Sequence, residues 1–575
     1  MTSQIESDAR WQLRDSVAAV GLFLVTAAFV LWQNSRLTIL WDLSYILDSS
    51  FRISLGQLPY RDFPFAHAPL TFLLQAVLIR LTGRVFFHHV LYAAIVGGLG
   101  TAFAWRMILH TLRGRLASAW ATALLLAVPL TVLGIYSIFP QPIYDCDCVF
   151  SILFGIYLLQ RLTSQRPSLL RSLVTGAALV LPLFFKQNIG LPFLCITILC
   201  LAALLLFNRL RPALAEAPDA ITLICVLAGT ASALLAAALL LHFTVGIGNY
   251  IHWTIQFAAA RRLPGLGLML ADYRQPSLLW SLPAIALALV LLRLRQNLWA
   301  RLVSLLLFAL PFLWTILFLF FQQESDERAD NLLSLWPMLL LLSAALTLYG
   351  LRRGPSLRLL IPVILLATIQ GTMLSQQLWG STYAIWPLLL LLVAEMIVFL
   401  ATRPLPRASA LASTLAAILS VALFVAGSLY AAGNERLSYA HISEGELRHS
   451  SLPQLRGMAL RGPYLPNFEE LIHFAAAEIP PSDGLILLPG EDPFYYVTGR
   501  TPQFPVLLFD PATDPYSPSR LVELVRSRNI HWMIVKVNLQ IEEDTIPQSA
   551  ATHRLLEGEF TFYRELAGYR VYHRP

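Results

Sequence analysis

Up to about residue 430 the chain is written as long apolar runs separated by short polar connections, and beyond it as short alternating segments. A helix needs roughly 20 apolar residues to cross the ~30 Å hydrocarbon layer of a bilayer. Thirteen runs meet or approach that length: 16–34, 85–109, 117–137, 147–161, 168–185, 189–207, 220–243, 278–293, 301–321, 332–350, 358–374, 383–401 and 408–430. The first lacks a small-residue cleavage site and is followed by a polar loop and the other runs, so it reads as an anchor and not as a removable signal. The stretch 68–82, PLTFLLQAVLIRLTG, is shorter, contains Arg80 and ends in glycine. It predicts an interfacial helix inside a large first outer loop, 35–84.

After a polar linker, Asn434 to Pro466, the pattern changes. NFEELIHFAAAEIP has the helical period and a start signal at Asn467; GLILLPG reads as a buried strand, RLVELVRSRN as an amphipathic helix, HWMIVKV as a second strand and YRVYHRP as a last one. The expected fold is a polytopic α-helical membrane body, residues 1–430, with a soluble α/β domain, residues 431–575. No glycine-rich phosphate fingerprint follows either strand, so no nucleotide site is assigned there.

Charge supplies the orientation. Residues 1–430 hold 28 Lys+Arg against 16 Asp+Glu, a net +12, and residues 431–575 hold 13 against 18, a net −5. The basic side chains fall in short connections: Arg10/Arg14, Arg106/Arg113/Arg115, Arg161/Arg166/Arg171, Arg209/Arg211, Arg293/Arg295/Arg301, Arg352/Arg353/Arg358 and Arg403/Arg407. Short loops rich in arginine stay in the cytoplasm. The alternate connections then lie outside, together with Asp42, Asp48, Asp62, Asp145, Asp147, Asp272 and the Glu324–Asp330 cluster. An odd number of crossings puts residues 431–575 outside as well, in the periplasm of a bacterium. Charged residues make up 13% of the 575, about half the ~25% usual for a soluble domain. The basic balance is therefore a topology signal and does not point to nucleic acid. The five cysteines, all at or before Cys225, exclude a disulfide-built module. Cys146 and Cys148 read as free small residues, since a Cys-x-Cys bridge is strained.

Ionisable groups beside a membrane body are costly and are functional candidates by default. Asp42 follows the first span by a few residues, beside Trp41 and Tyr45. Lys186, one of two lysines in the chain, sits in LPLFFKQNIGLP at an outer helix break, where an ammonium suits phosphate as a point charge. A snorkelling lysine marking a helix end is the equal alternative. Arg261, Arg262 and Arg328 are further outer cations. Asp145 and Asp147 form an acidic pair that, with Asp42, could hold a divalent cation; the metal-free alternative is favoured. Trp336-Pro337 and Trp386-Pro387 each open an apolar run and read first as an interfacial tryptophan belt. His67, His242 and His252 read as polar loop residues. Glu395, inside the twelfth run, shows no partner in sequence.

The outer loop WDLSYILDSSFRISLGQLPYRDFPFAHAPL, with an acid after the first span, then Gly56-Gln-Leu-Pro-Tyr-Arg-Asp-Phe63 and Pro69-Leu70, resembles the first periplasmic loop of the GT-C glycosyltransferase superfamily. The likeness is nearest to bacterial relatives of protein O-mannosyltransferases and the lipid A aminoarabinose transferase. It implies thirteen or so spans and an outer C-terminal domain. It also implies transfer of a sugar from a polyprenyl-phosphate donor to an acceptor lipid, glycan or protein, with Asp42 as general base and no cofactor. Tyr45, Tyr60, Arg61, Asp62, Asp145, Asp147 and Tyr383 become candidates for acceptor or sugar binding, and Lys186, Arg261, Arg262 and Arg328 for the donor phosphate. Asp42-Leu43 stands where the mannosyltransferase pattern has Asp-Glu. A transporter or flippase of lipid-linked sugars would need polar residues at mid-membrane, and most runs here are Leu/Ala-rich. An O-antigen ligase or polymerase-like protein shares the substrates but would carry a large Arg-rich loop between late spans. The topology has a direct test: a cysteine introduced at Ser482 should react with an impermeant maleimide in intact cells, and protection from it would reverse the assigned orientation.

Overall fold

The computed structural model describes residues 12–164, 168–211, 218–263, 265–294, 297–321, 335–352, 354–374, 384–403, 407–433, 440–442, 444–510, 513–541, 556 and 558–575. Within the described residues each of the thirteen apolar runs overlaps helix. Among the described residues seven helices are long and apolar enough to cross a bilayer: Leu13–Asn34, Phe86–Leu112, Tyr144–Thr163, Gln187–Leu210, Ala220–Thr244, Ser277–Leu294 and Ala408–Ala432. Others are shorter because proline divides them. The run at 117–137 forms Ala119–Ala127 and Leu130–Leu133 around Pro129, and that at 168–185 forms Leu169–Ala178 and Leu181–Phe185 with Pro182 opening the second piece. The chain is a multi-pass membrane protein with a small C-terminal sheet domain.

Helix approach is closest where glycines meet. A Cβ on Gly176 would lie 2.0 Å from the Val226 carbonyl oxygen, and one on Gly229 would lie 2.2 Å from that of Leu173. The two backbones therefore touch, as small residues permit in helices packed within lipid, and Thr230 adds a hydroxyl bond to the Gly176 carbonyl at 3.0 Å.

Two arginines of the basic connections pair with acids of the body. Arg113 and the Trp120 indole both donate to buried Asp15, each at 3.0 Å. Arg358 reaches Glu395 at 3.2 Å, so this acid has the partner that its sequence context hides. The Tyr144–Ser164 helix carries Asp145 in its first turn and Arg161 in its last, about 24 Å apart at 1.5 Å per residue. The tryptophans overturn the belt reading. Trp336 and Trp386 are buried against each other, edge to face at 5.7 Å, and Pro387 occupies the first turn of its helix, where a missing N–H costs nothing.

The stretch expected to be interfacial forms the Leu70–Thr82 helix, preceded by a second short helix, Leu40–Ser54. The C-terminal domain contains a hairpin of β1 (Leu447–His449) and β2 (Ala459–Arg461). Its main sheet has the order β3-β4-β6-β5, from β3 (Gly484–Leu488), β4 (Ile530–Lys536), β5 (Thr561–Leu566) and β6 (Tyr569–His573). β3 and β4 are parallel, with Ile486 opposite Met533; β4–β6 and β6–β5 are antiparallel. The expected helix begins at Tyr464 and not at Asn467, because Pro466 falls in its first turn, where proline is tolerated. β5 escaped the sequence reading because its first five residues are exposed and show no apolar alternation.

The C-terminal domain shares its core with the short helices Leu40–Ser54 and Leu70–Thr82 and the start of Phe86–Leu112. Leu40, Leu43, Leu47 and Phe51 form one helical stripe. With Ile79, Phe86 and Val90 they pack against Leu465, Phe468, Tyr495, Tyr496 and Trp532. Buried Asp48 accepts the backbone N–H of Tyr496 at 2.7 Å and of Tyr495 at 3.3 Å, at the start of the Phe494–Thr498 helix. Arg84 donates to the Tyr496 and Val497 carbonyls at the other end of that helix. Asp48→Ala should strand two buried N–H groups at a cost of ~1–3 kcal/mol each. The detergent-solubilised variant is then expected to melt several degrees lower; an unchanged midpoint would show that the cap contributes little.

Candidate active site

The Leu40–Ser54 helix starts after extended Ile39 and places Asp42 in its first turn, half-buried. The dipole at a helix N-terminus is a favourable setting for a carboxylate. Tyr45 lies on the same face one turn later. Its ring stacks on Phe65 at 6.0 Å and meets His67 at 5.3 Å and Phe72 at 5.8 Å. His67 lies 4.9 Å from the Tyr144 ring, and the Lys186 ammonium sits 5.1 Å from the centre of that ring. Lys186 pairs with Asp145, with both side chains largely buried. A line of side chains thus runs from Tyr45 through His67 and Tyr144 to Lys186 and Asp145, and Asp42 lies one turn before Tyr45 on the same helix.

The motif Gly56–Phe63 folds as a self-held turn. Asp62 accepts the Leu58 N–H at 2.7 Å and pairs with Arg61 at 2.9 Å. The Arg61 hydrogen bond lowers the Asp62 pKa. Tyr60 is buried at φ +69°, a costly region for a residue with a Cβ, and its hydroxyl donates to the His67 carbonyl at 2.7 Å. Burial raises its pKa well above the ordinary tyrosine value. Arg52, also buried, bonds Gln57, donates to the Pro505 carbonyl at 3.0 Å and lies 4.3 Å from the Phe63 ring centre. Burial pushes its pKa down to about 10, which leaves it charged at neutral pH.

The two acids expected to act together have separate partners. Asp147 accepts hydroxyls from Thr71 at 2.7 Å, Tyr92 at 2.8 Å and Tyr136 at 2.7 Å, tying four segments together. Asp145 faces Lys186. Among the described residues no group of three His, Cys, Asp or Glu side chains is placed to hold a metal ion, so the Asp42, Asp145, Asp147 set is not assembled as a cation site. Cys146 and Cys148 are free and buried. Arg261 donates to the Asp514 carbonyl at 2.7 Å and stacks on Phe257. The side chain of Arg262, and Arg328 and Tyr383, lie outside the described residues.

Sequence reasoning missed His67 and Tyr144 as members of this line. His67 is 6% exposed within an aromatic cluster and is not a solvated loop residue. The signal was present in FPFAHAPL, where the histidine is surrounded by apolar and aromatic positions.

No family model and no curated protein matches the chain. Among solved structures it is similar to ArnT from Cupriavidus metallidurans bound to undecaprenyl phosphate: 10% identity, 96% of this chain and 97% of that one covered, TM-score 0.47. It is also similar to the Archaeoglobus fulgidus oligosaccharyltransferase in complex with Zn and sulfate (12%, 96% and 73%, 0.49). A third likeness is to AglB from the same organism in complex with an inhibitory peptide and a dolichol-phosphate (11%, 92% and 70%, 0.47).

The Lys186–Asp145 pair is testable as a pair. Breaking a buried ion pair from one side costs ~3–5 kcal/mol, whereas replacing both members with apolar residues costs far less. Asp145→Leu alone should therefore lower the melting midpoint more than Asp145→Leu with Lys186→Met; equal or additive losses would separate the two residues energetically.

Proposed function

We propose that the chain is a GT-C-type glycosyltransferase that moves a sugar from a polyprenyl phosphate to an acceptor hydroxyl at the outer face of the plasma membrane, periplasmic in a bacterium. The observation that carries the reading is the placement of Asp42: half-buried, at a helix N-terminus directly after the first membrane helix, and one turn from the side chains that lead to Lys186. A polyprenyl-linked donor keeps its tail in lipid and its sugar at the surface, so the reaction needs no nucleotide site.

In the reaction the acceptor oxygen bonds to the anomeric carbon as the carbon–phosphate oxygen bond breaks. The acceptor proton passes to Asp42, and polyprenyl phosphate leaves. Attack from the face opposite the phosphate inverts the centre. Charge grows on the departing phosphate, and cations aimed at it lower the barrier. Lys186 is the foremost of these, with Arg261, Arg262 and Arg328 as the other candidates. The sugar is a hexose or pentose, and the acceptor a lipid, glycan or protein.

General-base catalysis typically supplies 10²–10⁴-fold. With purified protein and a panel of polyprenyl-phosphate hexoses and pentoses, Asp42→Asn should slow release of polyprenyl phosphate by about that factor without lowering the melting midpoint. Wild-type release by this variant would remove Asp42 from the base role.

A further inference from the structure

Two glutamine side chains grip the turn that joins the first membrane helix to the Asp42 helix. Gln141, in the connection before the Tyr144–Ser164 helix, accepts the Ile39 N–H at 3.2 Å and donates to the Leu37 carbonyl at 2.7 Å and to Asn34 Oδ1 at 3.2 Å. Gln540, four residues after β4, repeats the pattern one residue further on. Its Oε1 accepts the Leu40 N–H at 2.8 Å, and its Nε2 donates to the Thr38 carbonyl at 2.8 Å. These N–H groups belong to a helix start, where no intrahelical carbonyl can serve them. Ile39 and Leu40 are fully buried, so water does not serve them either.

Gln540 is itself fixed. Its backbone N–H and that of Ile541 donate to the Glu491 carboxylate, each within 3.0 Å. Lys536 pairs with Glu491 and, at 2.8 Å, with Asp492, and all three are buried. The Glu491 carbonyl accepts the Ser44 hydroxyl at 2.6 Å. Residues 38, 40 and 44, on either side of Asp42, are therefore all bonded to one buried charged knot of the C-terminal domain.

We infer that Gln141 and Gln540 are positioning residues for Asp42. Gln141 ties the base to the segment that carries Tyr144 and Asp145, and Gln540 ties it to the C-terminal domain, which is thereby part of the catalytic apparatus. The inference rests on the reading of Asp42 as the base. A misplacement of ~1 Å can cost ~10²-fold in rate, and loss of either amide frees two backbone groups of the turn.

The test uses the full-length protein in detergent. The variants are Gln540→Met, which removes both bonds, and Gln540→Glu, which keeps an acceptor for Leu40 but sets a carboxylate oxygen against the Thr38 carbonyl. Gln141→Met is the third. Turnover is measured with whichever polyprenyl-phosphate sugar the wild type uses, and amide hydrogen exchange is followed in peptides spanning 37–45, β3 and β4. The expected result is a fall in kcat of roughly 10–100-fold, donor KM within about twofold, and faster exchange confined to 37–45. Unchanged exchange at 37–45, or faster exchange there with wild-type kcat, overturns the inference. So does loss of protection across β3 and β4 in both Gln540 variants, which would make Gln540 a brace of the domain alone. Asp42→Asn run in parallel separates the two failures. Wild-type turnover in that variant removes the base itself, whereas an inactive Asp42→Asn beside a fully active Gln540→Met removes only the positioning role.

Discussion

A helix of 15 residues is too short to cross a bilayer, and one whose stripe is Leu40, Leu43, Leu47 and Phe51 cannot leave that stripe in water. The Leu40–Ser54 helix must be covered, and the protein covers it with the C-terminal domain. The remaining architecture follows from that necessity. Asp48 caps a helix of the covering domain, Arg84 binds that helix's far end, and Arg52 reaches a carbonyl at Pro505. The boundary near residue 430 marks a change in sequence pattern, but the two parts share a core and do not stand as independent bodies.

The membrane helices were legible because lipid forces a simple rule: a backbone with no water to bond must close its hydrogen bonds locally, and the price is a long apolar run. Within the described residues every such run overlaps helix. The strands GLILLPG and HWMIVKV were legible for the same kind of reason, since both are buried and compositionally plain. What sequence could not show was pairing across distance. Glu395 and Arg358 are 37 residues apart, and Asp145 and Lys186 are 41 apart. Neither separation has a helical or strand period to betray it. Trp336 and Trp386 carried the composition of a lipid belt but are buried with their rings edge to face, a choice that only tertiary packing makes.

At the site, the sequence marked the right neighbourhood and blurred the roles within it. Asp145 and Asp147 looked like one acidic pair because they are two residues apart. On a helix, positions i and i+2 point in different directions, and the structure gives one to a lysine and the other to three hydroxyls. The Gly56–Phe63 motif looked like binding chemistry and folds as a turn that holds Tyr60 against the His67 carbonyl.

On the proposed reading, the pairing of Lys186 with Asp145 has a use beyond placement. The Asp145 carboxylate lies against the ammonium, with both side chains largely buried. That same carboxylate weakens the pull of Lys186 on any incoming anion. A phosphodiester donor brings one negative charge and a departing phosphate monoester approaches two, so a partly neutralised cation holds the donor modestly and responds more strongly as charge develops. Binding that strengthens between ground state and transition state is the kind that raises kcat. A fully exposed lysine would instead bind donor and product tightly alike, and slow the release of the lipid phosphate.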